Sequence, residues 1–330
     1  MKNHRLFLLL SLVCALSVLA RAQDADDDDA IGPARPSVMK PTQKPAGAPF
    51  ACPYERNFQQ PRKIGAYTVR LLPIKKDDDD KEPDGDSRCR AVLTSASGKK
   101  ITIAEGWALR LDDISGDLLN ADGKPEIILD GYSGGLQCCY TYAVVSLAPN
   151  PRVVRAFHDQ FPVSFEKQAD GTALIHAPDG VFDYFLVPPS DAVIPQLILE
   201  LDGSKLLDVS ARFAELYDKQ IDQARSQLTP ADLEKFRKSS YGDRLFMDQI
   251  PTVRRVLTVV LAYLYSGREE KAWETLNQLW PAADGMRVKS LILERRARGL
   301  LAEVAKDAPT PAHSSQSAPP GLSVAQGYNR

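Results

Sequence analysis

The sequence predicts an α+β protein in which an antiparallel β domain is followed by an all-helical C-terminal domain. Two patterns and a charge change point there. From Ala66 to Ser210, short alternating or apolar runs recur between Gly, Asp and Pro punctuation, as in strands joined by turns. Past Lys205 the apolar residues take a helical period. The charge changes sign at the same place: residues 51–203 carry 16 basic and 23 acidic side chains, whereas 204–306 carry 18 and 14. The remaining composition is that of a folded protein of about two domains, with 330 residues, 44% of them hydrophobic and 25% charged. Forty-one basic against 43 acidic residues leave a net charge of −2, which gives no concentrated basic face for nucleic acid.

Taken in order, residues 1–22 read as a signal peptide. Lys2 and Arg5 precede the apolar run Leu6–Ala20, and Ala20-Arg21-Ala22 is a small-x-small cleavage site. That run of 15 residues falls short of the roughly 20 a spanning helix needs, and no later run approaches that length, so no integral membrane span is expected in the mature chain. A periplasmic or secreted location follows. Residues 23–50 contain the acidic run Asp26–Asp29 and then five prolines, which reads as a disordered linker. Residues 307–330, rich in Pro, Ala and Ser, read as a disordered tail.

The β domain, 51–203, is expected to hold strands over Tyr67–Ile74, Arg90–Thr94, Ile101–Ala104, Trp107–Leu111, Glu126–Leu129, Tyr140–Leu147, Val153–Phe157, Ala173–His176, Phe182–Val187 and Leu197–Leu201. In the helical domain, 204–306, Phe213, Leu216, Tyr217 and Ile221 share one face. Thr229-Pro230-Ala231-Asp232 is a helix start with Thr as N-cap and Pro at N1, and four or five helices are expected to follow. Val256–Tyr265 is apolar almost all round, as in the buried centre of a bundle. Tyr265, Gly267, Ala272, Leu276 and Leu279 are similar to part of one tetratricopeptide repeat, too little for a solenoid.

Candidate chemistry concentrates between Leu111 and Tyr142. Asp117, Asn120, Asp122, Gly123 and Glu126 crowd oxygen ligands around a turn just before a strand, the layout of a calcium loop. The same residues also fit an Asx-rich turn capping its own backbone. Gly131-Tyr132-Ser133-Gly134-Gly135 matches G-x-S-x-G, but Cys138–Leu147 reads as a strand, where a nucleophile elbow needs a helix. His158 beside Asp159 is the other acid–base candidate, and no catalytic residue is assigned. Four cysteines lie beyond the signal peptide, Cys52, Cys89, Cys138 and Cys139; an even count in an oxidising compartment favours disulfides, with three connectivities open.

The run D-G-K-P-E followed by S-G-G-L-Q-C-C resembles FG-GAP and VCBS-type repeats, and most closely a group of uncharacterised exported bacterial proteins with D-G-x-P-E and S-G-G-x-x-C-C. The resemblance covers about 30 residues. It implies a propeller-like β domain with calcium as a stabilising ion. It also implies that Cys138 and Cys139 pair as a unit, leaving Cys52 to Cys89. Leu118 stands where the family carries its first ligand, so this loop departs from the pattern. The expectation is an exported envelope protein that binds or scaffolds an envelope protein or glycan, with no identifiable catalytic machinery; the alternative is an envelope hydrolase using Ser133 or a carboxylate pair.

Overall fold

The computed structural model describes residues 51–52, 60–74, 88–106, 108–116, 119–120, 123–132, 140–239 and 248–307. They form an α+β structure of three antiparallel sheets and six helices. Strand β1 (Ala51–Cys52) is followed by β2 (Arg62–Ile64), β3 (Tyr67–Pro73), β4 (Cys89–Ser95) and β5 (Lys100–Gly106), the last four forming the first sheet in chain order. The second sheet joins β1 to β6 (Ala108–Leu111), β7 (Glu126–Tyr132), β8 (Tyr140–Ser146) and β9 (Arg152–Asp159). In the third, β10 (Ser164–Lys167), β11 (Ala173–Pro178), β12 (Gln196–Asp202) and β13 (Lys205–Asp208) again pair in order. The first and third sheets, and β6–β9 of the second, are thus four-stranded up-and-down meanders, the unit from which propeller blades are made, with β1 added at the edge of the second. Among the described residues these units form no closed propeller.

The second sheet is buried on both faces because its strands alternate between two cores. Ile127, Leu129, Val145 and Leu147 pack with Leu71, Ala91 and Leu93 of the first sheet. Ile128, Tyr142, Val144 and Phe157 point the other way, into a larger core shared with the third sheet and the helices. Two-sided burial explains why Glu126–Leu129 reads as an apolar run rather than an alternation. Across the boundary between the second and third sheets, the backbone N–H of Val163 donates to the Tyr142 hydroxyl at 2.7 Å.

The helices are α1 (Ala214–Ser226), α2 (Pro230–Lys238), α3 (Ile250–Tyr265), α4 (Glu269–Leu279), α5 (Gly285–Arg296) and α6 (Leu300–Ala305). Thr229 caps α2 as the sequence predicts, its hydroxyl accepting from the N–H of Asp232 at 3.1 Å. Thirteen of the sixteen residues of α3 are buried, which makes it the central helix. Val256, Leu257, Val259, Val260 and Leu261, all 0–1% exposed, each contribute roughly 1.5–3 kcal/mol of burial. The end of α3 needs a left-handed residue, and Gly267 supplies it at φ +75°, so that the N–H of Arg268 returns to the carbonyl of Tyr263 at 2.9 Å.

Several expectations are corrected. Phe182–Val187 is not a strand: residues 180–182 form a single 3₁₀ turn, and Tyr184 and Leu186 adopt φ of 55° and 58°. Those two left-handed residues send Phe182, Phe185 and Val187 into the core without a ladder. The sequence reading also missed β1, β2, β10 and β13, runs of two to four residues, too short to show a period. Strand β13 lies beyond residue 203, and the larger core runs without a break from β7 to α6.

Cys52 is bonded to Cys89, with their Cα atoms 6.2 Å apart, which ties β1 to the start of β4. Cys138 and Cys139 lie outside the described residues. Peptide mapping without reduction is expected to return a fragment linking Cys52 to Cys89; fragments joining either of them to residues 138–139 would contradict that pairing.

Candidate ligand cleft at Asp159 and Asp179

The acidic loop before β7 is organised by protein groups. Arg62 donates to the backbone carbonyls of Asp112, Asp113 and Ser115 at 3.1, 2.7 and 2.8 Å, so a guanidinium from β2 holds the segment that follows β6. Glu126 is fully buried and accepts from the backbone N–H groups of Leu119 and Asn120, both at 3.1 Å, and from the Asn120 amide at 2.5 Å. The Asn120 oxygen accepts in turn from the N–H of Gly203, at the turn between β12 and β13. Two of the four expected metal ligands, Asn120 and Glu126, therefore come together by bonding to each other. The other two, Asp117 and Asp122, lie outside the described residues. Among the described residues no three His, Cys, Asp or Glu side chains gather as a metal site.

Gly131 and Tyr132, the first two residues of the G-x-S-x-G run, end β7, and Tyr132 pairs with Tyr140 at the start of β8. Ser133 itself lies outside the described residues. His176 is buried on β11 and pairs with Glu166 at 2.8 Å. His158 and Asp159, adjacent on β9, take opposite fates. His158 is exposed, with Nδ1 3.0 Å from the Thr141 hydroxyl, whereas Asp159 turns inward and is 7% exposed.

Asp159 borders a cleft of about 550 Å³ between the end of β9, the end of β11 and the α5–α6 turn. Asp179, Arg298, Glu303 and Lys306 also line it. The Asp159 Oδ1 atom accepts from the N–H of Phe161 at 3.0 Å, but no donor among the described residues reaches Oδ2, which is closed off from solvent. Burial, reinforced by the nearby charge of Asp179, pushes the Asp159 carboxyl up to about 7.

Asp179, 1% exposed, is saturated by contrast. It accepts from the Tyr265 hydroxyl at 2.6 Å and from the N–H groups of Leu300 and Leu301 at 3.2 and 3.4 Å. This carboxylate closes the cleft floor by binding the β11 end to α3 and α6. Gly299 is required there, since a Cβ would stand 2.5 Å from Asp179 Oδ1. Gly299→Ala is accordingly expected to cost about 2 kcal/mol, read as a lower urea midpoint with an unchanged slope. Sequence reasoning missed Asp179 because Pro178-Asp179-Gly180 reads as an ordinary turn.

Two exposed cations, Arg298 and Lys306, line the cleft, Arg298 pairing with Glu294 at 2.9 Å. The lining carboxylate of Glu303 pairs at 3.5 Å with Arg155, which also pairs with Asp307 at 2.8 Å. Comparison of the chain with protein-family models, curated proteins and solved structures finds no match.

Proposed function

We propose that the chain is an exported binding protein of the bacterial envelope whose ligand, a piece of envelope glycan or peptide, enters the cleft at Asp159. The carrying observation is the cleft itself, about 550 Å³ in volume and lined by Asp159, Asp179 and Glu303 together with Arg298 and Lys306. The basic residues ahead of Leu6–Ala20 and the cleavage site at Ala22 support export. No helix among the described residues is long and apolar enough to cross a membrane. Hydrolysis by Asp159 and Asp179 as a carboxylate pair is less well supported, because both Asp179 oxygens already accept hydrogen bonds.

Native mass spectrometry after incubation with the small-molecule fraction of an envelope extract tests the reading. A bound mass is expected with the wild type and lost in Ala302→Trp, which fills the cleft. Failure to find any adduct would remove the cleft as a ligand site.

The meander sheets and the D-G-x-P-E resemblance support a propeller-like descent for the β region, with calcium as a secondary stabiliser. Because Asn120 and Glu126 are engaged with each other, only Asp117 and Asp122 would remain as side-chain ligands, which favours a weak site with Kd of roughly 10⁻⁴–10⁻³ M. Millimolar calcium is then expected to add about 1 kcal/mol or less, a small rise in melting temperature that Asp122→Ala abolishes. Identical melting in calcium and in chelator, with no heat of binding, would end the calcium assignment.

A further inference from the structure

We propose that the solvent face of α5 pairs two copies of this chain, antiparallel, about a two-fold axis. The pairing goes beyond the ligand reading of the cleft and does not depend on it. On α5, Met286, Ser290 and Leu293 are exposed and stand four and three residues apart; Ala297, exposed and still in αR conformation, continues the row four residues on. That spacing keeps all four on one face, and none of them carries a charge. Met286 is 73% exposed and Leu293 40%, two of the four large apolar side chains left open among the described residues. A third, Tyr184, stands beside the same helix, in a loop that shares an apolar pocket with Leu291 and Arg295. The opposite side of α5 buries Val288 and Ile292 in the larger core, so folding accounts for one face of this helix and leaves the other unpartnered.

A second copy fits the row because the row is its own complement. Its spacing reads the same from either end, so a two-fold axis between Leu291 and Ile292 lays one row on the other. Met286 then meets the partner's Ala297, and Ser290 meets the partner's Leu293, so that a large side chain faces a small one in every layer. A parallel pair would set Met286 on Met286 and Leu293 on Leu293, and would leave a gap at Ser290. The charges beside the row agree with the antiparallel pair. Arg287 and Glu294 share one flank, and the reversal brings each Arg287 to within about 3 Å, measured along the helix, of the partner's Glu294. The other flank is turned onto α4, with Lys289 over the Trp273 ring at 4.7 Å and Arg296 paired to Glu269 at 3.0 Å.

The size of the contact sets its strength. A helix of 12 residues is about 18 Å long, and one such face falls short of the roughly 1,200 Å² that stable complexes bury. The dimer is therefore weak and reversible, and it fills as concentration rises. Ala297 also lines the cleft, so the partner's Met286 stands at the cleft edge when the helices pair.

Sedimentation velocity of the full chain from about 1 μM to about 1 mM is the test, and a reversible monomer–dimer equilibrium is expected. Leu293→Glu, which buries a charge in the row twice per dimer, is expected to weaken that equilibrium at least about tenfold. Arg287→Glu and Glu294→Arg are each expected to weaken it about tenfold at low salt, and the two together in one chain to return it to within about threefold of the wild type. The two positions are about 10 Å apart along one helix, so recovery reports a contact between chains. Direction is read from thiols. In a mixture of Met286→Cys and Ala297→Cys chains, a short bismaleimide is expected to join position 286 to position 297, located by mass spectrometry, whereas Met286→Cys chains alone give no link between their 286 positions. A chain that stays monomeric to about 1 mM overturns the proposal. So does a dimer indifferent to Leu293→Glu with the variant folded by circular dichroism, or one that Met286→Cys alone cross-links. A monomer whose Met286 resists oxidation by peroxide would show this face covered by another part of the same chain, which equally rules out a second copy.

Discussion

Glu126→Ala is expected to lower the unfolding free energy by about 3–5 kcal/mol. The side chain is fully buried and receives two backbone N–H groups and one amide N–H from Leu119 and Asn120. Truncation strands those donors where water does not reach them. It also frees the Asn120 side chain, whose oxygen holds the N–H of Gly203, so the loss reaches the β12–β13 turn, 83 residues beyond Asn120 in sequence. The loss should be the same in millimolar calcium and in chelator, because the donors involved are all protein N–H groups. Urea denaturation of both proteins in both buffers measures it. A change below about 1 kcal/mol, or one seen only with calcium present, would mean that Glu126 serves an ion and not the loop.

That residue also shows where sequence reading succeeds and where it stops. The crowding of Asp117, Asn120, Asp122 and Glu126 was visible as an unusual density of oxygen ligands before a strand. What those oxygens meet was not, because two of the groups that organise the loop, Arg62 and Gly203, come from other sheets. Longer strands such as Tyr67–Pro73 and Tyr140–Ser146 announced themselves through alternation and β-branched or aromatic residues, and the Thr229 cap through local chemistry alone. Strand Lys205–Asp208 carries too few residues for a period, and Tyr184 and Leu186 gave no glycine to mark their left-handed turns. The Asp159 cleft was only half legible. The His158-Asp159 pair stood out, yet alternation along β9 separates its members, and the true neighbours of Asp159 are Asp179 and residues near 300, brought there by the helices.

Asp159→Asn is expected to stabilise the protein at pH 8 by about 2–4 kcal/mol and to have almost no effect at pH 4. In the folded chain the carboxyl titrates at about 7 instead of 3.8, because burial penalises its charged form. The folded state therefore holds a proton that the unfolded state has released, and the difference grows as pH rises from about 4 to about 7. At 1.36 kcal/mol per pKa unit, this shift corresponds to about 4 kcal/mol of stability present in acid and lost by pH 8. The sign is the reverse of that for a salt-bridged aspartate. Asparagine preserves the acceptor for Phe161 and carries no charge, so the variant escapes the loss. Many groups titrate over this range, so the informative quantity is the difference between the wild-type and variant urea midpoints, measured from pH 4 to pH 8 and repeated in a His158→Gln background. A difference that does not vary with pH, or a variant less stable than the wild type at pH 8, would show that Asp159 remains ionised and solvated, contrary to its burial at the end of β9.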